Sequence, residues 1–293
     1  MLSENAIFTD ANGSASMHDL IINFTPTGMV PTKAMNPSVP ISAIEIIEEV
    51  HQAYEEGITL VHLHARDENG EPTYKKDIYE SIINGIRDHC RDLVICLSLS
   101  GRNFNEFEKR SAPIELMPDM GSLTLSSLNF SNQASVNAPD MVMRLAAKMN
   151  EYGVHPELEI FDLGMIHYGK YLIQKKLLHP PYYFNIIFGN IAGMQTQFNA
   201  MGAALTELPE NAYWAFGGIG GQQLQANTAA IAMGGGVRVG LEDNLYFDRN
   251  KSLLTTNISL IRRIKVLADI FERKIMTPTH FGKLGFYNSK RVR

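Results

Sequence analysis

The sequence predicts an α/β protein folded as a single-domain (β/α)₈ TIM barrel, and three observations lead to this prediction. From Leu20 onward, eight short apolar runs alternate with longer helix-like stretches. The chain has 293 residues, of which 45% are hydrophobic, enough for one large α/β domain. No linker, low-complexity tract or internal repeat interrupts the alternation. Uninterrupted strand and helix pairs are typical of a parallel barrel.

The eight predicted strands are apolar runs that end in polar or turn-forming residues. In chain order they read LIINFTP, TLVHLHAR, LVICLSLS, GSLTLSS, PELEIFD, YYFNIIFG, YWAFGGIG and GVRVGLEDN. The first helix begins near Ser42 and ends at Gly57, and the last extends over about residues 252–273. An open doubly wound sheet is the alternative, and its first β/α turn should be tight and glycine-rich. Here that turn is the long segment TPTGMVPTKAMNPSVP, which favours the barrel.

Charge and cysteine content limit the classes of partner. The chain carries 26 Lys and Arg against 31 Asp and Glu, a formal charge of -5, without a basic block for nucleic acid or a membrane surface. Cys90 and Cys96 form neither a CxxC motif nor a disulfide framework, which favours a reducing, cytoplasmic setting. Residues 1–17 lack the pattern of a signal peptide, so we expect a loose N-terminal extension before a barrel domain over 18–293.

The segment VHLHARD places two histidines on one face of the second strand. Residues two apart share a face, so His62 and His64 point one way while Val61 and Leu63 point the other. Because helices cover the outside of a barrel, the polar side chains should face its axis. The same rule turns ten polar or ionisable side chains of four other strands inward: Cys96, Ser98, Ser100, Ser122, Thr124, Ser126, Glu157, Glu159, Arg238 and Glu242. So polar an interior predicts an active site.

Two neutral imidazoles on one strand face bind Zn²⁺ or a similar ion when a third ligand joins them. Glu242 is the best third ligand, because barrel closure brings the eighth strand beside the first, which the second strand flanks. An isolated HxH pair is more often a pair of hydrogen-bonded interior histidines. Because an inward glutamate accompanies the pair here, a metal site is favoured. Arg238 and Asp243 would form an ion pair nearby. Asp243 then serves as a base, orients a ligand, or closes the barrel in a salt bridge.

Six separated motifs recur in an order typical of one enzyme family. They are TPTGMVPTKAMNPSVPIS, VHLHARDENGEPTY, SLSGRNFNEFEKR, MPDMGSLTLSSLNF, PELEIFDLGM and VRVGLEDN. Together they resemble the β-keto acid cleavage enzymes, from about Leu20 to the last helix. The resemblance implies a zinc-dependent barrel, assembled as a homotetramer, that converts a β-keto acid and acetyl-CoA into acetoacetate and a new acyl-CoA. In that reaction the keto acid's carbanion adds to the thioester, CoA migrates, and a retro-Claisen step releases acetoacetate.

The same resemblance implies roles for individual residues. The zinc ligands would be His62, His64 and Glu242. Asp243 would be the general base that removes a proton from the α-carbon, and Arg238 would position it. The substrate pocket would include Ser98, Glu159 and Ser122, the last at a position where some members have Thr.

One position departs from part of the family. In members acting on an aminated keto acid, an acidic residue stands two positions after the Thr-Gly of the first loop. Here Val30 follows Thr27-Gly28-Met29. An ammonium group facing valine would lose water without gaining a counter-charge. We therefore expect a substrate whose far end is neutral or apolar.

Two other classes of function remain open from the residues. A metal-dependent hydrolase of the amidohydrolase kind also places HxH in a barrel, but on the first strand and with further His and Asp ligands. A non-catalytic barrel that binds a small acid is the other alternative, and it leaves the placement of Arg238 and Asp243 unexplained.

Overall fold

A closed barrel of parallel strands forms the centre of the molecule. The computed structural model describes residues 18–291, so the predicted extension over 1–17 lies outside the described residues. Neighbouring strands follow chain order, and the first strand closes the barrel by pairing with both the second and the eighth. The (β/α)₈ prediction is confirmed. The strands are β1 (Ile22–Phe24), β2 (Leu60–Leu63), β3 (Val94–Leu97), β4 (Met120–Thr124), β5 (His155–Ile160), β6 (Tyr183–Phe188), β7 (Tyr213–Gly218) and β8 (Gly236–Val239).

Helices follow the strands, and all but the short last one cover the outside of the barrel. They are α1 (Ala43–Glu55), α2 (Lys76–His89), α3 (Phe107–Ser111), α4 (Pro139–Tyr152), α5 (Leu163–Gln174), α6 (Phe198–Glu207), α7 (Gln223–Ala232), α8 (Asn257–Ile270) and α9 (Pro278–Phe281). Short 3₁₀ turns lie at Ala112–Leu116 and Gly220–Gln222, and a π turn at Gly282–Phe286. Two small hairpins pair Ala65–Arg66 with Pro72–Thr73 and Leu128–Asn129 with Ala134–Ser135. Among the described residues, no helix combines the length and apolarity needed to cross a membrane.

Side-chain caps decide where the first and last of the long helices begin. Ser42 caps α1 in a capping box with Glu45, which agrees with the predicted start. The prediction for α8 was too long, because Thr256 caps this helix by accepting a hydrogen bond from the Ser259 backbone N–H. The residues just before the cap form a loop in which Leu254 makes an isolated bridge with Tyr246.

The two faces of the strands pack into separate apolar clusters. Outward side chains such as Val61 and Leu63 belong to the large cluster under the helices. Inward side chains near the strand starts form a smaller cluster that Phe281 and Phe286 close from the N-terminal end. Because this end is filled with apolar side chains, the polar inward residues line the C-terminal half of the barrel.

Candidate active site

A cavity of about 560 Å³ opens at the C-terminal mouth of the barrel. Its volume is in the usual range for small-molecule sites, and this face carries the active sites of barrel enzymes. Its floor is built from the polar ends of the strands: His64, Ser98, Thr124, Glu159, Arg238, Glu242 and Asp243.

His62, His64 and Glu242 converge on one point beside this floor. The two Nε2 atoms lie 3.2 Å apart, and His64 Nε2 lies 3.1 Å from Glu242 Oε1. One ligand atom from each of the three residues falls within 4.8 Å of the others. The structure therefore brings together the three side chains that the sequence analysis grouped from two different strands.

The geometry of this group fits a divalent metal ion. Tetrahedral zinc with Zn–N bonds of ordinary length separates two ligand nitrogens by about 3.3 Å, close to the 3.2 Å observed here. Glu242 Oε2 is buried and has no hydrogen-bond partner in the described part of the chain. Three side chains of the types that zinc prefers, one of them a carboxylate with an unbonded oxygen, could hold such an ion and would leave its fourth position open.

Glu157 holds the imidazole of His62 from behind. Its carboxylate accepts hydrogen bonds from His62 Nδ1–H at 2.6 Å, Asn23 Nδ2 at 2.5 Å and Asn185 Nδ2 at 3.0 Å, and the Cys96 thiol lies 3.2 Å away. With Nδ1 bonded to Glu157, the other ring nitrogen, Nε2, faces His64 Nε2 at 3.2 Å. Burial opposes a charged imidazole, but Glu157 and Glu242 raise the pKa of His62 to about 9. A bound metal would displace that proton. Strand parity turned Glu157 inward, but the sequence analysis gave it no role.

Arg238 ties together three carboxylates at the cavity floor. Its Nε donates to Asp243 Oδ2 at 2.7 Å, and its Nη2 donates to Glu242 Oε1 at 2.7 Å and to Asp243 Oδ1 at 3.3 Å. Nη1 lies 3.4 Å from Glu159 Oε1. Burial raises the pKa of Asp243 even though Arg238 opposes the shift. A carboxylate with a raised pKa is a stronger base than one in water.

The turn after β8 is fixed by three other elements. Gln223 of α7 donates to the Gly240 carbonyl at 3.0 Å, and Asn257 of α8 accepts from the Leu241 N–H at 2.9 Å. The Glu242 N–H donates to the carbonyl of Thr25, just after β1, at 3.2 Å. These bonds hold the Glu242 and Asp243 side chains toward the cavity.

The loop between β1 and α1, called the first loop, packs directly against Glu242. Arg66 fixes this loop by donating to the Gly28 carbonyl at 3.0 and 2.7 Å and to the Pro31 carbonyl at 3.1 Å. Gly28 has φ +67°, and a Cβ there would lie 2.5 Å from the Cγ of Glu242. Only glycine satisfies both the backbone angle and the close approach. Sequence reasoning missed this contact because it joins residues far apart along the chain.

Comparison with known proteins decides the family. The profile described as "beta-keto acid cleavage enzyme" matches residues 19–284. The chain belongs to the beta-keto acid cleavage enzyme family. The recognition from six motifs is thereby confirmed, and the chain is a transferase that cleaves a carbon–carbon bond.

Characterised relatives align over nearly the whole length of this family member. It is 35% identical to a 3-keto-5-aminohexanoate cleavage enzyme of Fusobacterium nucleatum, over 89% of this chain and 96% of the relative. It is 33% identical to a 3-oxoadipate:acetyl-CoA acetyltransferase of Cupriavidus necator, over 88% of this chain and 91% of the relative. The apo structure of ObcA superposes with a TM-score of 0.74 at 18% identity, covering 86% of this chain and 66% of that one, and shows the same fold.

The other residues that were predicted to line the substrate pocket lie at different depths in the cavity. Ser98 and Glu159 line the cavity floor, and Val30 lies at the rim with half of its surface exposed. Ser122 is not among the lining residues, and its hydroxyl accepts a hydrogen bond from the Leu99 N–H at 3.1 Å. Thr124 lines the cavity instead and donates to Glu159 Oε2 at 2.6 Å.

Proposed function

We propose that the protein is a zinc-dependent β-keto acid cleavage enzyme that uses acetyl-CoA. A new bond forms between the α-carbon of the keto acid and the acetyl carbonyl carbon. The acetyl–sulfur bond of acetyl-CoA and the bond between the α-carbon and the original keto carbon break, the original acyl group ends on the sulfur of CoA, and the proton taken from the α-carbon returns to the same carbon. The products are acetoacetate and a new acyl-CoA, so all atoms of the two substrates are retained.

One observation carries the proposal: a metal-type ligand set and an arginine-held carboxylate share a single cavity. His62, His64 and Glu242 would hold the ion, which when bound supplies positive charge that stabilises negative charge developing on the keto acid. The family name and the name of the Cupriavidus relative support a keto acid and acetyl-CoA as the substrates.

Other side chains around this site would remove the proton and contact the substrate. Asp243 takes the proton from the α-carbon, and Arg238 fixes its carboxylate through two N–H groups. The Ser98 hydroxyl and Glu159 line the space where the keto acid would lie. The cavity is larger than a small keto acid requires, which leaves room for the thioester end of acetyl-CoA.

Val30 bears on the choice of keto acid. The Fusobacterium relative is named for an aminated substrate, whereas this chain presents an apolar side chain at the cavity rim. We propose that the preferred substrate carries no positive charge at its far end. A cytoplasmic homotetramer is the assembly and location that we propose from the family resemblance and the two unpaired cysteines.

An isotope experiment tests the reaction. Purified protein is incubated with acetyl-CoA labelled at both acetyl carbons and a panel of unlabelled β-keto acids, and the products are identified by mass spectrometry. We expect both labelled carbons in acetoacetate and none in the new acyl-CoA. Label released as acetate, or hydrolysis of amides or esters without CoA, would contradict the proposal and favour a hydrolase.

Metal content is measured separately. Elemental analysis should find about one zinc per chain, as expected of a three-ligand site. His64→Ala and Glu242→Ala should lose the metal, whereas His51→Ala, a half-buried histidine of α1 that contacts Gly85 and His89, serves as a matched control and should retain it. Full zinc occupancy in both ligand variants would show that the ion lies elsewhere.

A further inference from the structure

Arg102 reaches into the same cavity from the loop after β3. Its guanidinium carbon lies 3.6 Å from the centroid of the Phe130 ring, and both residues line the cavity. Phe130 in turn packs edge-on against Phe161, with ring centroids 5.6 Å apart. The guanidinium is therefore held over the face of the Phe130 ring, which Phe161 supports.

Stacking leaves the hydrogen-bonding edge of this guanidinium free. The N–H donors of arginine lie in its plane, so a ring beneath the face does not use them. Arg102 Nε is buried and has no hydrogen-bond partner among residues 18–291, and the backbone N–H of Arg102 donates to Ser100 Oγ. The guanidinium makes no hydrogen bond within residues 18–291, and because Nε is buried, the two Nη groups are the donors that a ligand in the cavity would reach.

Three nearby buried arginines behave differently. Arg66 donates to backbone carbonyls of the first loop, and Arg110 donates to the Leu99 and Val136 carbonyls and to Asn137. Arg238 donates to carboxylates. The guanidinium groups of these three arginines thus find hydrogen-bond acceptors within the protein. Arg102 carries the same charge into the cavity and makes no such hydrogen bond among the described residues, although the carboxylates of Glu242, Glu159 and Asp243 attract it electrostatically.

A partly buried cation gains most from an anion of matching geometry. Arg102 is largely shielded from water, and arginine stays charged in proteins. A carboxylate can accept two parallel N–H bonds from a guanidinium edge, and such charge-assisted pairs are about twice as strong as neutral ones. In the proposed function, the metal site together with Ser98 and Asp243 contacts the reacting end of the keto acid. The cation therefore suits a second carboxylate.

We propose that Arg102 is a specificity-determining residue that binds a carboxylate at the far end of the substrate, which makes the substrate a β-keto dicarboxylate. This inference rests on the proposed function. Val30 alone led to the expectation of a neutral or apolar far end, and Arg102 replaces that expectation with a negatively charged one. The phosphates of CoA offer similar chemistry, so the experiment has to separate the two sources of the anion.

Two β-keto acids of equal chain length test the proposal. The values of kcat/KM for 3-oxoadipate, which has a terminal carboxylate, and for 3-oxohexanoate, which lacks one, are compared at saturating acetyl-CoA. In Arg102→Gln we expect a loss of about 10- to 100-fold for the dicarboxylate and little change for the monocarboxylate. Arg102→Lys keeps the charge without the fork and should fall between. Lys175→Gln removes an exposed cation that does not line the cavity and should leave the ratio unchanged.

Three kinetic outcomes would overturn the assignment. Equal losses on both acids would place Arg102 at the reacting carboxylate or in the scaffold. A raised KM for acetyl-CoA without a change in the ratio would assign it to the CoA phosphates. A wild-type enzyme that uses the monocarboxylate and rejects the dicarboxylate would refute the inference and leave the proposed function standing.

A binding measurement stands apart from turnover. Adipate and hexanoate are unreactive probes of the same length, and their stabilisation of the protein is followed by thermal unfolding. Adipate should stabilise the wild type more than hexanoate, and Arg102→Gln should remove the difference. If the wild type turns over no member of the panel of β-keto acids, the proposed function fails, and this measurement still decides the role of Arg102. Equal stabilisation of the wild type by both probes would overturn it.

Discussion

Glu157 accepts the Nδ1–H of His62 at 2.6 Å, and it also accepts amide N–H groups from Asn23 and Asn185. The carboxylate at the centre of the barrel thus determines which imidazole nitrogen of His62 faces His64 and Glu242. Such partners behind a ligand commonly alter metal affinity by about 10- to 100-fold.

We predict that Glu157→Gln weakens zinc affinity by about tenfold or more, because an amide is a poorer acceptor for the Nδ1–H. Zinc affinity is measured by competition with a chelator of known affinity. Cys96→Ala is the matched control, since it removes another neighbour of the same carboxylate and keeps the Glu157–His62 bond. An unchanged affinity in Glu157→Gln would assign the carboxylate to the core alone.

Gly28→Ala should also weaken zinc binding, through contact with the Glu242 side chain. The new methyl group would lie 2.5 Å from Glu242 Cγ and would displace it. Gly57→Ala is the matched control, because Gly57 also has a positive φ but nothing within 4 Å of its Cβ position. Both variants should lose stability by about 1–2 kcal/mol from backbone strain, and only Gly28→Ala should lose metal. Equal zinc affinities in the two variants would contradict the packing argument.

Asp243→Asn should keep zinc and lose most turnover, because a carboxamide does not accept the α-proton. A loss of about 10²–10⁴-fold is expected for removal of a general base. Exchange of the α-hydrogens of the keto acid with deuterated water, followed by NMR, isolates this step from the chemistry of the thioester. Exchange at the wild-type rate in the variant would assign proton removal to another group.

An aminated keto acid should be a poor substrate. Its ammonium group would face Val30, and transfer into the cavity would cost hydration without a counter-charge. We expect kcat/KM for 3-keto-5-aminohexanoate to be lower than for 3-oxohexanoate, and Val30→Glu to narrow the gap. Val30→Gln controls for polarity without charge. A wild-type preference for the aminated acid would show that Val30 does not set the polarity of the pocket.

Stability should depend on pH through His155, which lies at the opposite end of the barrel from the cavity. Its Nε2–H donates to the Pro181 carbonyl at 2.5 Å, and burial lowers the pKa of His155 to about 4. The unfolded chain takes up this proton near pH 6.5, before the folded chain does. The free energy of unfolding should therefore fall by about 2 kcal/mol as the pH drops from 6.5 to 4, and be level with respect to this group above pH 6.5.

The measurement compares denaturant unfolding of wild type and His155→Gln across this range. The variant keeps an N–H donor but has no group that titrates, so its stability should fall less between pH 6.5 and 4. Parallel curves for the two proteins would show that His155 does not cause the loss.

Much of the barrel was predictable from local pattern, because hydrophobic periodicity and helix caps act over a few residues. Alternation along β2 turned His62 and His64 inward, and closure of the barrel brought Glu242 beside them. The start of α8 was not predictable in this way. The apolar stripe of this helix did not indicate that Thr256 caps its first turn.

Only the tertiary structure decided which groups contact one another. Glu157 and His62 are 95 residues apart, and Gly28 meets Glu242 across the closing strands. Sequence parity gives a side chain's direction but not its depth, which is why Ser122 bonds to the backbone while Thr124 reaches the cavity. Arg102 depends on Phe130 from another loop. The sequence by itself determined the strands, their inward residues and the family. The packing of loops against one another decided the arrangement of the site, because long-range contacts follow from shape and partner geometry that no local pattern carries.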